Sequence, residues 1–218
     1  MSAELELRHA RVRYGPLEAL HGVDLAVAGG AVTVLTGRNG SGRTTVLRAL
    51  AGTVPLSGGA VAWRGRDVTR LTAHARAALG LALVPDREAV FGSLSVAENL
   101  RLAARRAELG PALDTYPELR PLLSRAAGTL SGGEQRMLAV ARALLSPAEV
   151  LLLDEPAQGM SPTVAARTYA LLAALPATVL LAEQSLPAAL RSAPRAVVVH
   201  ELRRGTVVFS GEAAEVAR

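Results

Sequence analysis

The chain of 218 residues has no cysteine, and its 24 basic side chains are all arginine because lysine is also absent. Without cysteine, disulfides are excluded from any account of its stability. Aromatic residues make up only 3% of the chain. Long apolar runs are missing too, because stretches such as "LLAALPATVLLA" are broken by proline or charge well short of the roughly 18 residues that a membrane span needs. We therefore expect no transmembrane helix.

The first residues, "MSAELELRHARVRY", lack the apolar core of a secretory signal. A cytoplasmic location is therefore expected. Half of the residues are apolar, which is enough to bury the core of one substantial domain. The net charge is +5, with an isoelectric point near 10.8, but the arginines are scattered and form no basic block. The charge pattern thus predicts no nucleic-acid partner.

Hydrophobic periodicity predicts an α/β chain with a β-rich start. The β-rich segments are "ELELRHARVRY", "GVDLAVA", "AVTVLTG", "GAVAWRG", "LALVP", "EVLLLDE", "ATVLLAE", "AVVVHE" and "GTVVFSG". The predicted helices are Arg43–Ala51, Thr72–Leu79, Ser95–Ala107, Pro117–Ala127, Gly132–Leu145, Pro162–Ala174 and Leu186–Ser192.

Start signals support two of these helices. Ser95 and Glu98 have the spacing of a capping box, and Ser161 precedes a proline at the first helical position. Residues 87–130 lack a convincing strand, which indicates a helical subdomain inserted in the α/β core. The last two β-rich segments are separated by Arg203-Arg204-Gly205, which predicts a hairpin at the sheet edge.

The stretch "LTGRNGSGRTT" joins an apolar strand to a helix and has the layout of a phosphate-binding loop, G-x-x-x-x-G-K-[S/T]. Gly37, Gly42 and Thr44 fit the pattern, but Arg43 occupies the lysine position. Glycines let successive backbone N–H groups turn toward an anion at a helix N-terminus. The loop alone predicts phosphate binding only weakly, because the lysine is missing.

Two further elements favour nucleotide chemistry. In "EVLLLDEP", Asp154 can reach a metal ion, and Glu155, expected to point the other way by strand alternation, can activate a water molecule. Upstream, "LSGGEQ" opens a helix with Ser131 and two glycines, Gly132 and Gly133, where better helix formers would be expected.

These three elements, in this order, resemble the ATP-binding subunits of ABC transporters, and the resemblance covers essentially the whole chain. It implies a P-loop NTPase (RecA-like) core with an N-terminal antiparallel β subdomain, forming one ATPase domain over residues 1–218 with the helical insert at 87–130. It also implies ATP and Mg²⁺ as ligands, with Thr44, Asp154 and Asp86 at the metal and Glu155, Gln184 and Asp86 in catalysis. The implied nucleotide-binding residues are Tyr14, Gly37, Arg38, Asn39, Gly40, Ser41, Gly42, Arg43, Thr44, Thr45, Ser131, Gly132, Gly133 and Glu134.

The closest likeness is to the branched-chain amino-acid type, carried by "VPDREAVFGSLSVAENL", "LSGGEQRML", "DEPAQGMSP" and "LLAEQSLPAAL". In that type, Asp86 replaces the glutamine of the wider family and Gln184 replaces its switch histidine. Residues 157–162 correspond to the loop through which two cassettes touch. Arg43 departs from the type, which normally keeps lysine. It preserves the charge but brings a broader planar group into a tight loop.

The resemblance implies a second ABC ATPase subunit and membrane permease subunits as partners, on the inner face of the cell membrane. Three functions are compatible with it. The chain is an energy-coupling ATPase, a non-hydrolytic cassette impaired by Arg43 that supports a partner, or a soluble ABC ATPase outside transport. The transported substrate is not encoded in these motifs.

Overall fold

The computed structural model describes residues 3–104 and 108–216, which fold into two sheets with helices packed around them. The four-stranded sheet has the order β2-β1-β4-β5, and its neighbouring strands are antiparallel. Its strands are β1 (Ala3–Tyr14), β2 (Leu17–Ala28), β4 (Gly58–Trp63) and β5 (Arg66–Asp67). This is the antiparallel β region expected near the N-terminus.

The six-stranded sheet has the order β10-β9-β3-β8-β7-β6, and all its neighbours are parallel except the edge hairpin of β9 and β10. Its strands are β3 (Val32–Thr36), β6 (Leu81–Val84), β7 (Val150–Asp154), β8 (Thr178–Glu183), β9 (Val197–Arg203) and β10 (Thr206–Glu212). Every residue of β3 and β7 is buried, as expected for strands that are covered on both faces.

The hairpin turn at the edge follows the prediction. Arg204 has a φ of 48° and Gly205 a φ of 73°, so both turn residues lie in the left-handed region. Two-residue turns of this kind match the twist of the flanking strands. A side chain at Gly205 would also meet the carbonyl oxygen of Ala19 at 2.4 Å. Glycine is therefore needed here for both backbone shape and space.

Three helices match their predicted bounds. They are α1 (Arg43–Ala51), α5 (Gly132–Leu145) and α6 (Pro162–Ala174). Shorter forms of predicted helices are α2 (Ala73–Ala78), α3 (Val96–Ala104) and α7 (Ala188–Arg191). The prediction that α3 extends through Ala107 falls on residues 105–107, which lie outside the described residues.

The capping predictions are confirmed by hydrogen bonds. The Ser95 hydroxyl accepts from the Glu98 N–H at 3.2 Å, while the Glu98 carboxylate accepts from the Ser95 N–H at 2.8 Å. The Ser161 hydroxyl accepts from the Val164 N–H at 3.4 Å. Each bond satisfies a backbone donor that the first turn of a helix leaves free.

The prediction of a helix at Pro117–Ala127 was wrong. The chain there forms two short 3₁₀ helices, Pro117–Leu122 and Ala127–Thr129. Pro121 lies inside the first one, and its ring cannot donate the hydrogen bond that an α-helix requires. An unpredicted helix, α4 (Gly110–Thr115), precedes this region. No helix was predicted over these residues.

The region between β6 and α5 shares its core with the parallel sheet. Leu100, Tyr116 and Leu119 are fully buried in one apolar cluster with Leu138 of α5 and Leu153 of β7. The Tyr116 hydroxyl bonds to Thr168 of α6 at 2.9 Å. The helical region is therefore packed firmly onto the α/β core. No helix within residues 3–104 and 108–216 combines the length and apolarity needed to cross a bilayer.

Candidate nucleotide site

A cleft of about 710 Å³, here called the main cleft, opens where the parallel strands end. Because the carboxyl ends of β3, β6, β7 and β8 lie on one edge of the sheet, the loops that follow them converge there. The predicted site residues that line the main cleft are Tyr14, Asn39, Gly40, Ser41, Gly42, Arg43, Thr44, Thr45, Asp86, Asp154, Glu155 and Gln184.

The glycine loop between β3 and α1 forms one wall of the main cleft. Gly42, with a φ of 106°, precedes the first helical residue, and no described side chain caps that end of α1 or places an acid in its first turn. The N–H groups and the positive end of the helix dipole are thus left for an anion. Gly37 and Arg38 do not line the cleft. Gly37 is buried beneath the loop, where a side chain would strike the Leu202 carbonyl oxygen at 2.3 Å.

Arg43 forms an ion pair that the sequence did not predict. Its Nη2 atom donates to Oε1 of Glu155 at 3.1 Å, and the two side chains are only 7% and 14% exposed. Its Nη1 atom is buried and has no hydrogen-bond partner among the described residues. The loop arginine therefore contacts the acid proposed to activate water, and its second terminal nitrogen keeps a donor without a partner among the described residues.

Asp154 and Thr44 lie together at the end of β7. Asp154 is 3% exposed. Burial raises the pKa of its carboxyl group, while the Thr44 hydroxyl and the Arg43 charge oppose that rise. One carboxylate oxygen, Oδ2, is buried and finds no hydrogen-bond partner in the described part of the chain. An unsatisfied carboxylate oxygen beside a hydroxyl fits the oxygen ligands that Mg²⁺ prefers.

Within the described ranges, no group of three or more His, Cys, Asp or Glu side chains could hold a metal ion by itself. Mg²⁺ is usually bound by one or two carboxylates together with substrate phosphates, so a site of this limited kind is compatible with it.

The prediction that Glu155 points away from Asp154 was wrong. Strand alternation was to place Glu155 on the face opposite Asp154, but β7 ends at Asp154 and Glu155 has a φ of 46°. This left-handed backbone breaks the alternation, so both acids line the main cleft. The strain of a non-glycine residue in that region is a feature often found at functional sites.

Asp86 and Gln184 follow β6 and β8 and reach the cleft from either side of β7. Asp86 lies 3.6 Å from Nη2 of Arg48. Its backbone is held by Arg136 of α5, which donates to the carbonyl oxygens of Pro85 and Asp86 at 2.6 and 2.5 Å. Arg136 was not predicted from the sequence. Its position three, four and seven residues before Ala139, Val140 and Ala143, on the apolar side of the helix, is the signal that could have indicated its burial.

Tyr14 ends β1 at the rim of the main cleft and is 41% exposed. An exposed aromatic ring beside a phosphate-binding loop can stack on a flat base.

The serine and glycines that open α5 lie outside the main cleft. Gly132 lines a second cavity of about 360 Å³, here called the side cleft, together with Asp86, Gln158 and Gly159. Ser131 and Glu134 bond to each other in a capping box. The Ser131 N–H lowers the pKa of the Glu134 carboxyl group. Gly133 packs so closely on the next loop that a side chain would meet the Gly159 carbonyl oxygen at 2.4 Å.

Glu183, at the end of β8, is a second residue that the sequence analysis missed. Burial raises the pKa of its carboxyl group to about 7, a rise opposed by its hydrogen bond to Tyr169 and supported by the charge of Glu155. The Tyr169 hydroxyl donates to Glu183 Oε1 at 2.5 Å. No pattern in "LLAEQS" distinguishes this acid from an exposed one, because its burial depends on α6.

Residues 20–158 match the family model described as ABC transporter. The chain belongs to the ABC transporter family. Within it, the chain is one of the ATPase cassettes, as the glycine loop and the paired acids of the main cleft indicate.

Two curated relatives are similar to this ABC ATPase over most of its length. One is a probable branched-chain amino acid transport ATP-binding protein, LivF, of Archaeoglobus fulgidus, 39% identical over 93% of this chain and 89% of the relative. The other is the high-affinity branched-chain amino acid transport ATP-binding protein BraG of Pseudomonas aeruginosa, 34% identical over 90% of this chain and 87% of the relative.

Solved structures show that the fold is that of an ATP-binding cassette. A nucleotide-free cassette from an ABC transporter superposes with a TM-score of 0.81 at 22% identity, covering 96% of this chain and 91% of that one. A bacterial ABC transporter cassette in dimeric form gives 0.84 at 19% identity, covering 96% and 98%. The predicted α/β P-loop NTPase fold is thereby confirmed.

Proposed function

We propose that this ABC ATPase is the energy-coupling subunit of an importer for branched-chain amino acids or similar small solutes. The observation that carries the proposal is the main cleft, which gathers the glycine loop, the paired acids and Gln184 in one place. The substrate class is supported by the two relatives named above, both branched-chain amino acid transport proteins.

In this proposal, loop residues Gly37–Thr45 bind the phosphates of ATP through the N-terminus of α1, and Tyr14 stacks on the base. Thr44 and Asp154, with Asp86, would hold Mg²⁺. When bound, the ion neutralises charge on the phosphates. Glu155 accepts a proton from the attacking water, and Gln184 and Asp86 orient the water and the γ-phosphate.

The second half of each site comes from a partner cassette. Ser131, Gly132, Gly133 and Glu134 open α5 away from the main cleft, so within one chain they do not line the same cavity as the glycine loop. We place them against the nucleotide of a head-to-tail partner, with the loop at 157–162 at the contact. The partner is a second ABC ATPase, and both cassettes bind permease subunits at the inner face of the cell membrane.

The ion pair between Arg43 and Glu155 favours a second candidate, a cassette that binds ATP but hydrolyses it slowly while supporting its partner. The domain limits stay part of the proposal: one cassette over residues 1–218, with a helical subdomain at 87–130.

The deciding experiment is steady-state ATPase activity of the purified chain and its Glu155→Gln variant, with and without the partner cassette. We expect the parent to hydrolyse MgATP and the variant to lose turnover, since an amide cannot take the proton. Because Asp154 still holds the metal, the variant is expected to form an ATP-bound dimer on size-exclusion chromatography.

MgADP and a Glu201→Gln variant serve as controls. MgADP should not produce the dimer, and Glu201→Gln, on β9 with 40% of its side chain exposed, should keep the turnover of the parent and show no added dimer. If Glu155→Gln shows no added dimer in either setting, Glu155 is not the base. A parent without turnover would support the slow cassette. Failure to co-purify with permease subunits would favour a soluble ABC ATPase.

A further inference from the structure

The Glu155 carboxylate is held by two donors that come from different parts of the chain. Oε1 accepts from Arg43 Nη2 at 3.1 Å, and Oε2 accepts from Gln158 Nε2 at 2.9 Å. Each oxygen therefore has its own partner, and the plane of the carboxylate is defined by both. Gln158 was not among the residues expected to act at the site.

Glu155 and Gln158 belong to the same short turn, which is held by backbone hydrogen bonds. The Glu155 N–H donates to the Ala182 carbonyl at 2.9 Å, and the Gln158 N–H donates to the Glu155 carbonyl at 3.1 Å. The two side chains thus sit on one tight turn anchored to β8. Arg43 belongs to α1 and reaches Glu155 from across the main cleft. Gln158 can keep its contact when Arg43 moves, because the two donors are on separate elements.

The two donors also differ in what they do to a base. A guanidinium neutralises the carboxylate, which makes it a poorer acceptor of a proton. An amide donates a hydrogen bond but carries no charge, so it can orient the carboxylate without neutralising it. Arg43 has a competing role at the phosphates, since it occupies the lysine position of the loop and has a buried donor without a partner among the described residues. Gln158 does not belong to the phosphate loop and is free of that competing role.

We propose that Gln158 is a positioning residue that holds Glu155 by Oε2, while Oε1 is the oxygen that takes the proton once Arg43 turns to the phosphates. In that step, water gives a proton to Oε1 as its oxygen bonds to the γ-phosphorus, and the bond from that phosphorus to the departing ADP oxygen breaks. This inference rests on the proposed role of Glu155 as the base.

Gln158 is also on the loop assigned to the contact between cassettes, and it lines the side cleft with Gly132 and Gly159. A role confined to dimerisation would lower turnover as well. The test must therefore measure dimer formation and turnover separately.

The variant of choice is Gln158→Met, which keeps the length of the side chain and removes the N–H donor. Gln158 is exposed, so the substitution is not expected to disturb folding. We expect kcat to fall about tenfold, the value for a lost hydrogen bond to a charged group, with KM for ATP within about twofold of the parent. Gln158→Glu, also isosteric, should lose more because it brings a like charge to Glu155.

The same Gln158→Met change is then made in the Glu155→Gln background. For this double variant we expect an unchanged ATP-dependent dimer on size-exclusion chromatography and no further loss of residual turnover. Weakening of that dimer, or an unchanged kcat in the single variant, would overturn the positioning role.

The single variant Glu155→Gln separates this inference from the one on which it rests. Parent-like turnover in Glu155→Gln would overturn the base assignment and this proposal with it. Loss of turnover there, with none in Gln158→Met, would overturn the positioning role alone. Absence of turnover in both the parent and an Arg43→Lys chain would overturn the base assignment and the positioning role together.

Discussion

Arg43 shows how one side chain changes a site whose surroundings fit the family pattern. A lysine at this position presents a compact ammonium group, whereas arginine presents a planar fork that can bind a carboxylate and still point a donor elsewhere. In this chain the fork reaches Glu155 at 3.1 Å with both groups nearly buried. The positive charge is retained, but it lies between the glycine loop and the Glu155 carboxylate.

We predict that Arg43→Lys raises kcat at least several-fold and changes ATP affinity much less. A lysine lacks the fork that holds Glu155, and its charge is better placed for the transition state, a difference of roughly 1–3 kcal/mol or about 5- to 150-fold in rate. Turnover and nucleotide titration of the two chains measure the two effects.

Arg120→Lys provides a matched control for the exchange itself. Arg120 pairs with Asp114 on the surface and is 51% exposed, so its replacement should leave both quantities as in the parent. An Arg43→Lys chain that turns over ATP no faster would mean that the loop has adapted to arginine, and the slow-cassette candidate would be abandoned.

At the scale of elements, the starts of α3 and α5 use the same device for different purposes. Both are capping boxes of serine and glutamate three residues apart. At α5 the two residues between the serine and the glutamate are glycines, and Gly133 packs against the loop at 157–162. At α3 the box caps the first turn of a helix that packs into the core, because Val96 and Leu100 of that helix are fully buried.

We predict that Ser95→Ala lowers the free energy of unfolding by about 1 kcal/mol, the usual cost of losing a serine cap. Urea denaturation should show a lower midpoint with an unchanged slope. The control is Ser124→Ala, an exposed serine outside any helix, which should stay within about 0.5 kcal/mol of the parent. Equal stability of the two variants would show that the cap at Ser95 contributes nothing.

The sequence predicted most elements because their signals are local. The alternation of apolar and polar residues predicted the strands, and the positions of serine and glycine predicted the starts of α1, α5 and α6. The region around Pro117 failed because Pro121 breaks the α-helical bond pattern inside an otherwise periodic stretch. Helix α4 was not predicted, and it packs onto α5, which lies further along the chain.

The candidate site was predicted as a set of residues but not as a set of contacts. The loop and Asp154 follow from spacing, whereas the Arg43–Glu155 pair joins residues 112 positions apart and depends on a left-handed Glu155. Neither can be read from a local pattern. The bond of Tyr169 to Glu183 likewise depends on how α6 packs on β8.

For the whole molecule, the parallel sheet concentrates acids at one edge. Asp86, Asp154, Glu155 and Glu183 follow or end three neighbouring strands, and Arg43 and Arg136 are buried cations beside them. Charges of one sign in a poorly hydrated place oppose one another, so one acid is favoured to keep its proton. Burial, together with the charges of the neighbouring acids, raises the pKa of Glu183 to about 7.

This raised pKa makes the stability of the molecule depend on pH in a defined direction. The native chain keeps a proton on Glu183 that the unfolded chain has already lost above its ordinary pKa of 4.5. The stabilising contribution is therefore fully present below pH 4.5 and is lost as the pH rises through about 7. We predict that Glu183→Gln raises the free energy of unfolding at pH 8 by about 1–3 kcal/mol and changes it little near pH 5.

The amide oxygen introduced by Glu183→Gln would still accept the Tyr169 hydroxyl, so the substitution removes the charge and keeps the contact. Urea denaturation at both pH values measures the effect. Glu201→Gln, on strand β9 with 40% of its side chain exposed, is expected to shift stability by less than about 0.5 kcal/mol at either pH. If Glu183→Gln changes stability equally at pH 5 and pH 8, the pKa of Glu183 is not raised in the native chain.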